Sequence, residues 1–132
     1  MGAGDTLSLL FVEDDKLVRD TMSNMIAMKF PNVTVYKAVN GRIGVETFKE
    51  HMPAIVITDI NMPDMDGFQM ATEIKRIKTD TRFILLTGYS DNKYLDKFRE
   101  IGISSYLIKP IDLRKLFAMI EKYINEINLQ YQ

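Results

Sequence analysis

Five short apolar runs recur along the chain, at Leu7–Val12, Val33–Ala38, 54–58, 83–87 and 105–108, separated by longer segments of helical period. Leu9-Leu10-Phe11-Val12, Ala54-Ile55-Val56-Ile57 and Phe83-Ile84-Leu85-Leu86 are apolar throughout. That is the pattern of strands buried on both faces of a parallel sheet. Val33-Thr-Val-Tyr-Lys-Ala38 alternates instead, which places it at an edge. The intervening spacing predicts helices over 16–30, stopped by Pro31, and over 41–50, closed by His51-Met52-Pro53. A third helix starts at Asp66, where Asp66 and Gln69 are spaced as a capping pair. A fourth covers 91–101, with Gly102 as its left-handed C-cap. The last begins at Asp112 and carries Leu113, Phe117, Ile120, Ile124 and Ile127 on one stripe.

Five strands alternating with five helices make an α/β, doubly wound (βα)5 domain. Right-handed crossovers and small size favour the flavodoxin-like five-stranded parallel sheet in order 2-1-3-4-5. Ligands then bind outside the carboxyl ends of the strands, near the switch point between strands 1 and 3.

Composition narrows the function. A chain of 132 residues suits one domain with a radius of gyration of about 14 Å and leaves no room for a second of ordinary size. The reading is a flexible leader over 1–6, the domain over 7–129 and a tail over 130–132. Seventeen basic and 18 acidic residues leave a net charge of −1, so no global field recruits nucleic acid or anionic lipid. The absence of Cys excludes disulfides, zinc–thiolate sites, iron–sulfur clusters and cysteine nucleophiles. The N-terminus lacks the apolar stretch of a signal peptide, and no apolar run approaches the ~18 residues of a membrane span. A cytoplasmic domain with no direct nucleic-acid or membrane partner is expected.

Chemistry gathers at the predicted strand ends. Strand 1 runs into Glu13-Asp14-Asp15, strand 3 ends in Asp59, strand 4 in Thr87-Gly88 and strand 5 in Lys109-Pro110. Each has an ordinary reading alone: a turn residue, a solvated helix start, a strand terminus or a surface charge. Their common placement favours a joint role. Converging carboxylates repel one another and demand a counter-cation. Oxygen ligands with no Cys or His nearby select a hard ion such as Mg²⁺. With the Lys109 ammonium and the Thr87 hydroxyl, the set suits a transferring phosphoryl group, with Asp59 as nucleophile.

Leu10-Phe-Val-Glu-Asp-Asp15, Ile57-Thr-Asp-Ile-Asn-Met-Pro-Asp-Met-Asp-Gly67, Leu85-Leu-Thr-Gly88 and Tyr106-Leu-Ile-Lys-Pro110 resemble the response-regulator receiver family of two-component signalling, over about residues 7–125. The resemblance implies that Asp59 is the phosphoacceptor and that Asp14, Glu13 and the Asn61 carbonyl join it around Mg²⁺, with Mn²⁺ as a substitute. It implies that Thr87 and Lys109 contact the phosphoryl oxygens, and that the peptide before Pro110 is cis. Thr87 and Tyr106 match the switch pair that alters the surface of helix 4, strand 5 and helix 5. The implied partners are a histidine kinase or phosphotransfer protein that donates from a phosphohistidine, and a downstream effector protein or domain. Such a domain catalyses only its own phosphorylation and dephosphorylation. Glu13 in place of the commoner Asp, Ser104-Ser105 before strand 5 and Ile111 after the proline depart from the usual pattern without touching the implied site. Beside Gly88, Tyr89 and Asn61 flank the path of an attacking water, so a bulky Tyr89 is expected to slow hydrolysis.

Other readings fit less well. A haloacid-dehalogenase-type phosphatase needs an acid two residues after its nucleophile, where this chain has Asn61. The acidic stretch after Met62 meets the calcium-loop pattern only in part and follows a strand rather than a helix. Gly41-Arg-Ile-Gly44 matches an RNA-binding GxxG loop in spacing alone. His51, the only His, is expected at a solvated helix end, away from the site. Met22 and Met25 read as core filler. Extended to Tyr131, the last helix's stripe steps by four and three. That heptad-like spacing suggests a linker helix or a homodimer through helix 4, strand 5 and helix 5.

Overall fold

The computed structural model describes residues 7–62, 65–88 and 92–130. Its elements alternate as β1 (Leu7–Val12), α1 (Lys16–Lys29), β2 (Val33–Ala38), α2 (Gly41–His51), β3 (Ile55–Asp59), α3 (Gly67–Ile77), β4 (Arg82–Thr87), α4 (Asn92–Glu100), β5 (Tyr106–Ile108) and α5 (Leu113–Gln130). The strands form one parallel sheet in the order β2-β1-β3-β4-β5. The alternating strand β2 is an edge, as expected, while the apolar β1, β3 and β4 occupy the centre.

Period-two alternation sends successive residues of each central strand into opposite layers. Leu10, Val12, Val56, Phe83 and Leu85 face α2, α3 and α4, where Phe48, Met70, Ile74, Leu95 and Phe98 meet them. Leu9, Phe11, Ile55, Ile57, Ile84 and Leu86 face α1 and α5, represented by Ile26, Leu116, Ile120 and Ile127. Both faces of the sheet are therefore covered, which is why the central strands read as continuous apolar runs.

Local chemistry sets the helix ends. Asp15 and Asn40 cap α1 and α2 by accepting from Val18 N–H and Ile43 N–H. Asp66 and Gln69 form the expected reciprocal capping box at α3. Gly102 adopts φ 84° after α4, the left-handed conformation anticipated there. Helix α2 closes on Met52, which takes φ 48° without being glycine.

Of the α5 stripe, Ile120 and Ile127 are buried in the layer under the sheet, and Leu113, Phe117 and Ile124 pack against it partly buried, so intramolecular packing accounts for the spacing. Phe117 meets Phe30 edge-on at 5.9 Å in that layer. His51 ends α2 in an exposed position, as expected, and its ring also stacks on Tyr36 with centroids 3.9 Å apart and planes 13° from parallel. The GxxG pair has a packing explanation. A Cβ at Gly41 would meet Met65 O at 2.2 Å, and one at Gly44 would meet Met70 Sδ at 2.5 Å. Residues 1–6 of the expected leader, and residues 131–132 of the expected tail, lie outside the described residues; Gln130 ends α5.

Candidate functional site

The strand order brings the ends of β1 and β3 together, because Val12 pairs with Thr58 in register. Glu13 continues β1, its N–H bonded to Ala38 O at 3.0 Å, and its side chain is buried. Asp14 is exposed and Asp59 is buried at the end of β3. Carboxylate oxygens of Glu13, Asp14 and Asp59 lie within 4.8 Å of one another. From the other side, Lys109 Nζ donates to Asp59 Oδ2 at 2.7 Å. The second Asp59 oxygen, Oδ1, accepts Asn61 N–H at 3.0 Å.

Lys109 reaches this point because its own N–H donates to Thr87 O at 2.8 Å, extending the β4–β5 ladder past Ile108. The Lys109–Pro110 peptide bond is cis. Thr87 is buried at the end of β4, one residue beyond Leu86, which pairs with Asp59. Its hydroxyl donates to the neighbouring Gly88 carbonyl at 3.2 Å. Tyr106 opens β5 opposite Leu85 and keeps 39% of its surface exposed. Tyr89 lies outside the described residues.

Three carboxylates face one ammonium, and the electrostatics follow. Burial is the main reason the Glu13 carboxyl rises above the ordinary glutamate value; the bond from Asp15 N–H opposes it, while Asp14 and the Asp59 charge add to it. Burial pulls the Lys109 ammonium down, but its bond to Asp59 and the charges of Asp59, Glu13 and Asp14 outweigh that, leaving it above the ordinary lysine value. A compact, oxygen-only donor set with excess negative charge fits a hard divalent cation such as Mg²⁺.

Two supporting residues escaped the sequence reading. Arg19, on α1, donates to the Glu13 carbonyl at 2.9 Å and more weakly to that of Asp14 at 3.4 Å, bracing the acidic loop from behind. Gly67 lets α3 start against the turn after Asp59: a Cβ there would sit 2.8 Å from Ile60 Cα and 2.9 Å from Asp59 O. A cationic residue one turn into a helix carries no such signal by itself. Gly67 closes the 57–67 stretch, and nothing in the sequence shows the backbone that lies beneath it.

The family model described as "Response regulator receiver domain" matches residues 9–121. The chain belongs to the response regulator receiver domain family. Among relatives, the receiver domain is 32% identical to the chemotaxis protein CheY of Bacillus subtilis, covering 89% of this chain and 97% of that protein. It is 28% identical to the transcriptional regulatory protein YesN of the same organism, covering 92% of this chain but only 33% of YesN. The receiver domain thus spans about a third of that longer regulator, and about half of a response regulatory protein of Staphylococcus epidermidis. A solved N-terminal domain from Wolinella succinogenes superposes with a TM-score of 0.85 at 35% identity, covering 94% of this chain and 98% of that one. This chain is thus a signalling domain of two-component systems, built on the flavodoxin-like 2-1-3-4-5 sheet expected from the strand pattern. Among the described residues, no helix is long and apolar enough to cross a membrane.

Proposed function

We propose that this receiver domain accepts a phosphoryl group on Asp59 from the phosphohistidine of a histidine kinase or phosphotransfer protein. The observation that carries the reading is the buried Asp59 carboxylate, held by the Lys109 ammonium at 2.7 Å beside the Glu13 and Asp14 carboxylates. An Asp59 oxygen forms the new bond to phosphorus as the bond from phosphorus to the histidine nitrogen breaks, its electron pair returning to the imidazole. Lys109 shifts from pairing with the carboxylate alone to pairing with phosphoryl oxygens, and the Thr87 hydroxyl donates a second contact. Asp59, Glu13 and Thr87 are buried, which limits screening on their side of the site, whereas Lys109 and Asp14 stay open to solvent. Glu13, Asp14, Asp59 and the Asn61 carbonyl are the residues that would hold Mg²⁺, with Mn²⁺ as a substitute. Bound there, the ion would offset carboxylate repulsion and neutralise charge on the transferring group.

Hydrolysis of the acyl phosphate returns Asp59 to its resting state. Asn61, two residues after Asp59, and Tyr89, two after Thr87 in the chain, are the residues whose size is expected to set the lifetime. Output passes through Thr87 and the half-exposed Tyr106 to the surface of α4, β5 and α5, where an effector protein or domain, or a second copy of the chain, reads it. In this reading residues 7–129 act as the unit in the cytoplasm, with 1–6 and 130–132 as flanking segments. Incubation with Mg²⁺ and a small phosphodonor should add about 80 Da to the intact protein. Chelation of the metal should abolish the gain. A folded protein that gains mass equally well under chelation would sink the metal-dependent reading.

A further inference from the structure

The aromatic cluster between α3 and α4 ends in a link to the backbone of Asp59. Tyr94, in the first turn of α4, donates its hydroxyl to Asp66 Oδ2. Its ring is held by Phe98, with centroids 5.8 Å apart, and by Phe68, edge-on at 6.5 Å. The Lys97 ammonium lies 5.5 Å from the ring centre. The other Asp66 oxygen caps α3 by accepting Gln69 N–H at 2.8 Å. The next residue, Gly67, donates its N–H to Ile60 O at 3.3 Å and packs so tightly that a Cβ would strike the backbone of Asp59 and Ile60. Ile60 N–H in turn donates to Leu86 O at 3.2 Å, beside Thr87. One hydroxyl on α4 therefore reaches the backbone of Asp59 through two consecutive residues.

We propose that Tyr94 is a positioning residue that couples α4 to Asp59 through Asp66 and Gly67. The proposal rests on Asp59 being the phosphoacceptor and names a regulator of that site. A hydroxyl–carboxylate bond is stronger than a neutral one, and the packed ring loses little freedom in making it. Helix α4 has nine residues, and its buried side chains are Leu95 and Phe98, so an extra tether at its first turn restrains it measurably. Coupling is reciprocal: loosening α4 must alter the surroundings of Asp59, and phosphorylation of Asp59 must alter α4.

Tyr94→Phe keeps the ring contacts and removes only the donor. In the unphosphorylated protein, amide exchange at Ile60, Gly67 and α4 should rise about tenfold, with α1 and α5 unchanged. After a small phosphodonor is removed, the phosphoryl lifetime should fall about threefold. Asp66→Ser, which can still cap α3 but cannot reach Tyr94, should reproduce both effects, and the double variant should add nothing. Asp66→Asn, whose amide can donate to the phenol oxygen, should recover most of the wild-type behaviour. Faster exchange confined to α4, with Ile60 and Gly67 at wild-type rates, would make the bond a local brace and overturn the proposal. If Tyr94→Phe does not fold, the Asp66→Ser and Asp66→Asn pair decides by the same amides. A wild-type protein that takes no phosphoryl group would refute the role of Asp59, while exchange at Ile60 and Gly67 still decides the coupling.

Discussion

Gly67→Ala isolates the packing that holds Asp59 in place. The added methyl would lie 2.8 Å from Ile60 Cα and 2.9 Å from Asp59 O, and both are backbone atoms that cannot rotate away. Overpacking of this kind costs about 1–3 kcal/mol, and the rigidity of the neighbours puts this case near ~3 kcal/mol. Alanine's better helix propensity, worth ~1 kcal/mol in a helix interior and less at the first residue of α3, leaves a net loss of at least ~2 kcal/mol. With a urea slope of about 2 kcal/mol/M, the unfolding midpoint should fall by at least about 1 M. Relief of the clash requires α3 to move away from Ile60 or the Asp59 turn to shift, so the rate of phosphoryl uptake should fall as well. Gly102→Ala is the control. Its φ of 84° makes alanine strained, by about 1–2 kcal/mol, but the nearest atom to the new methyl is Lys75 Nζ at 3.9 Å, and the residue follows α4 far from Asp59 in the chain. That variant should lose stability and keep its uptake rate. Urea melts with mass-spectrometric uptake curves give both quantities for both proteins. Wild-type stability and uptake in Gly67→Ala would refute the reasoning, as would an equal loss of uptake in Gly102→Ala.

Lys109→Ala removes the cation that holds Asp59 and should slow phosphoryl uptake by about 10²-fold, measured with a small phosphodonor; a loss under threefold would remove Lys109 from the chemistry. Ile120→Ala truncates a fully buried residue of the α5 stripe and should cost about 2–5 kcal/mol in a urea melt. Sedimentation of the same variant should match wild type, because that stripe is spent on the domain's own sheet; an altered association state would say otherwise. Hydrogen bonds from Lys16 and then Lys37 hold the Asp20 carboxyl down at about 2, against an ordinary 3.8. Because the folded-state value is depressed, its contribution is present above about pH 4 and is lost as pH falls through 2. Carboxyl titration by NMR should give the low value in wild type and a return toward 3.8 in Lys16→Ala/Lys37→Ala, and no difference between them would contradict the assignment.

Much of the fold was legible because the central strands obey one rule. Leu9–Val12, Ile55–Ile57 and Phe83–Leu86 are buried on both faces, so their runs carry no alternation and end where the chain turns polar. Those turns hold Glu13, Asp14, Asp59, Thr87 and Lys109, and a parallel sheet puts all its strand ends on one side. Boundaries slipped where burial fades: β5 spans only Tyr106–Ile108, with two of three residues exposed, so little hydrophobic signal marks its start. The α5 stripe does not separate an internal face from a coiled-coil seam, because periods of 3.5 and 3.6 are hard to tell apart over 18 residues. The links Arg19 to Glu13 O, His51 on Tyr36 and Tyr94 to Asp66 were not legible at all. Each depends on how far a side chain reaches across a turn or between elements, and no periodicity encodes that. Gly67 looks like an ordinary helix start until the backbone beneath it is seen.

The central claim is that Asp59 carries the phosphoryl group, and trapping the acyl phosphate tests it most directly. The protein is loaded with phosphodonor and Mg²⁺, then treated with borohydride, which reduces an acyl phosphate to the alcohol and spares free carboxylates. Fragmentation should find homoserine in place of aspartate at residue 59 and at no other acid, and Asp59→Asn should show none anywhere. Homoserine at Asp14 or another acid in the wild-type protein, or an unmodified residue 59 in a chain that has gained phosphate, would contradict the account.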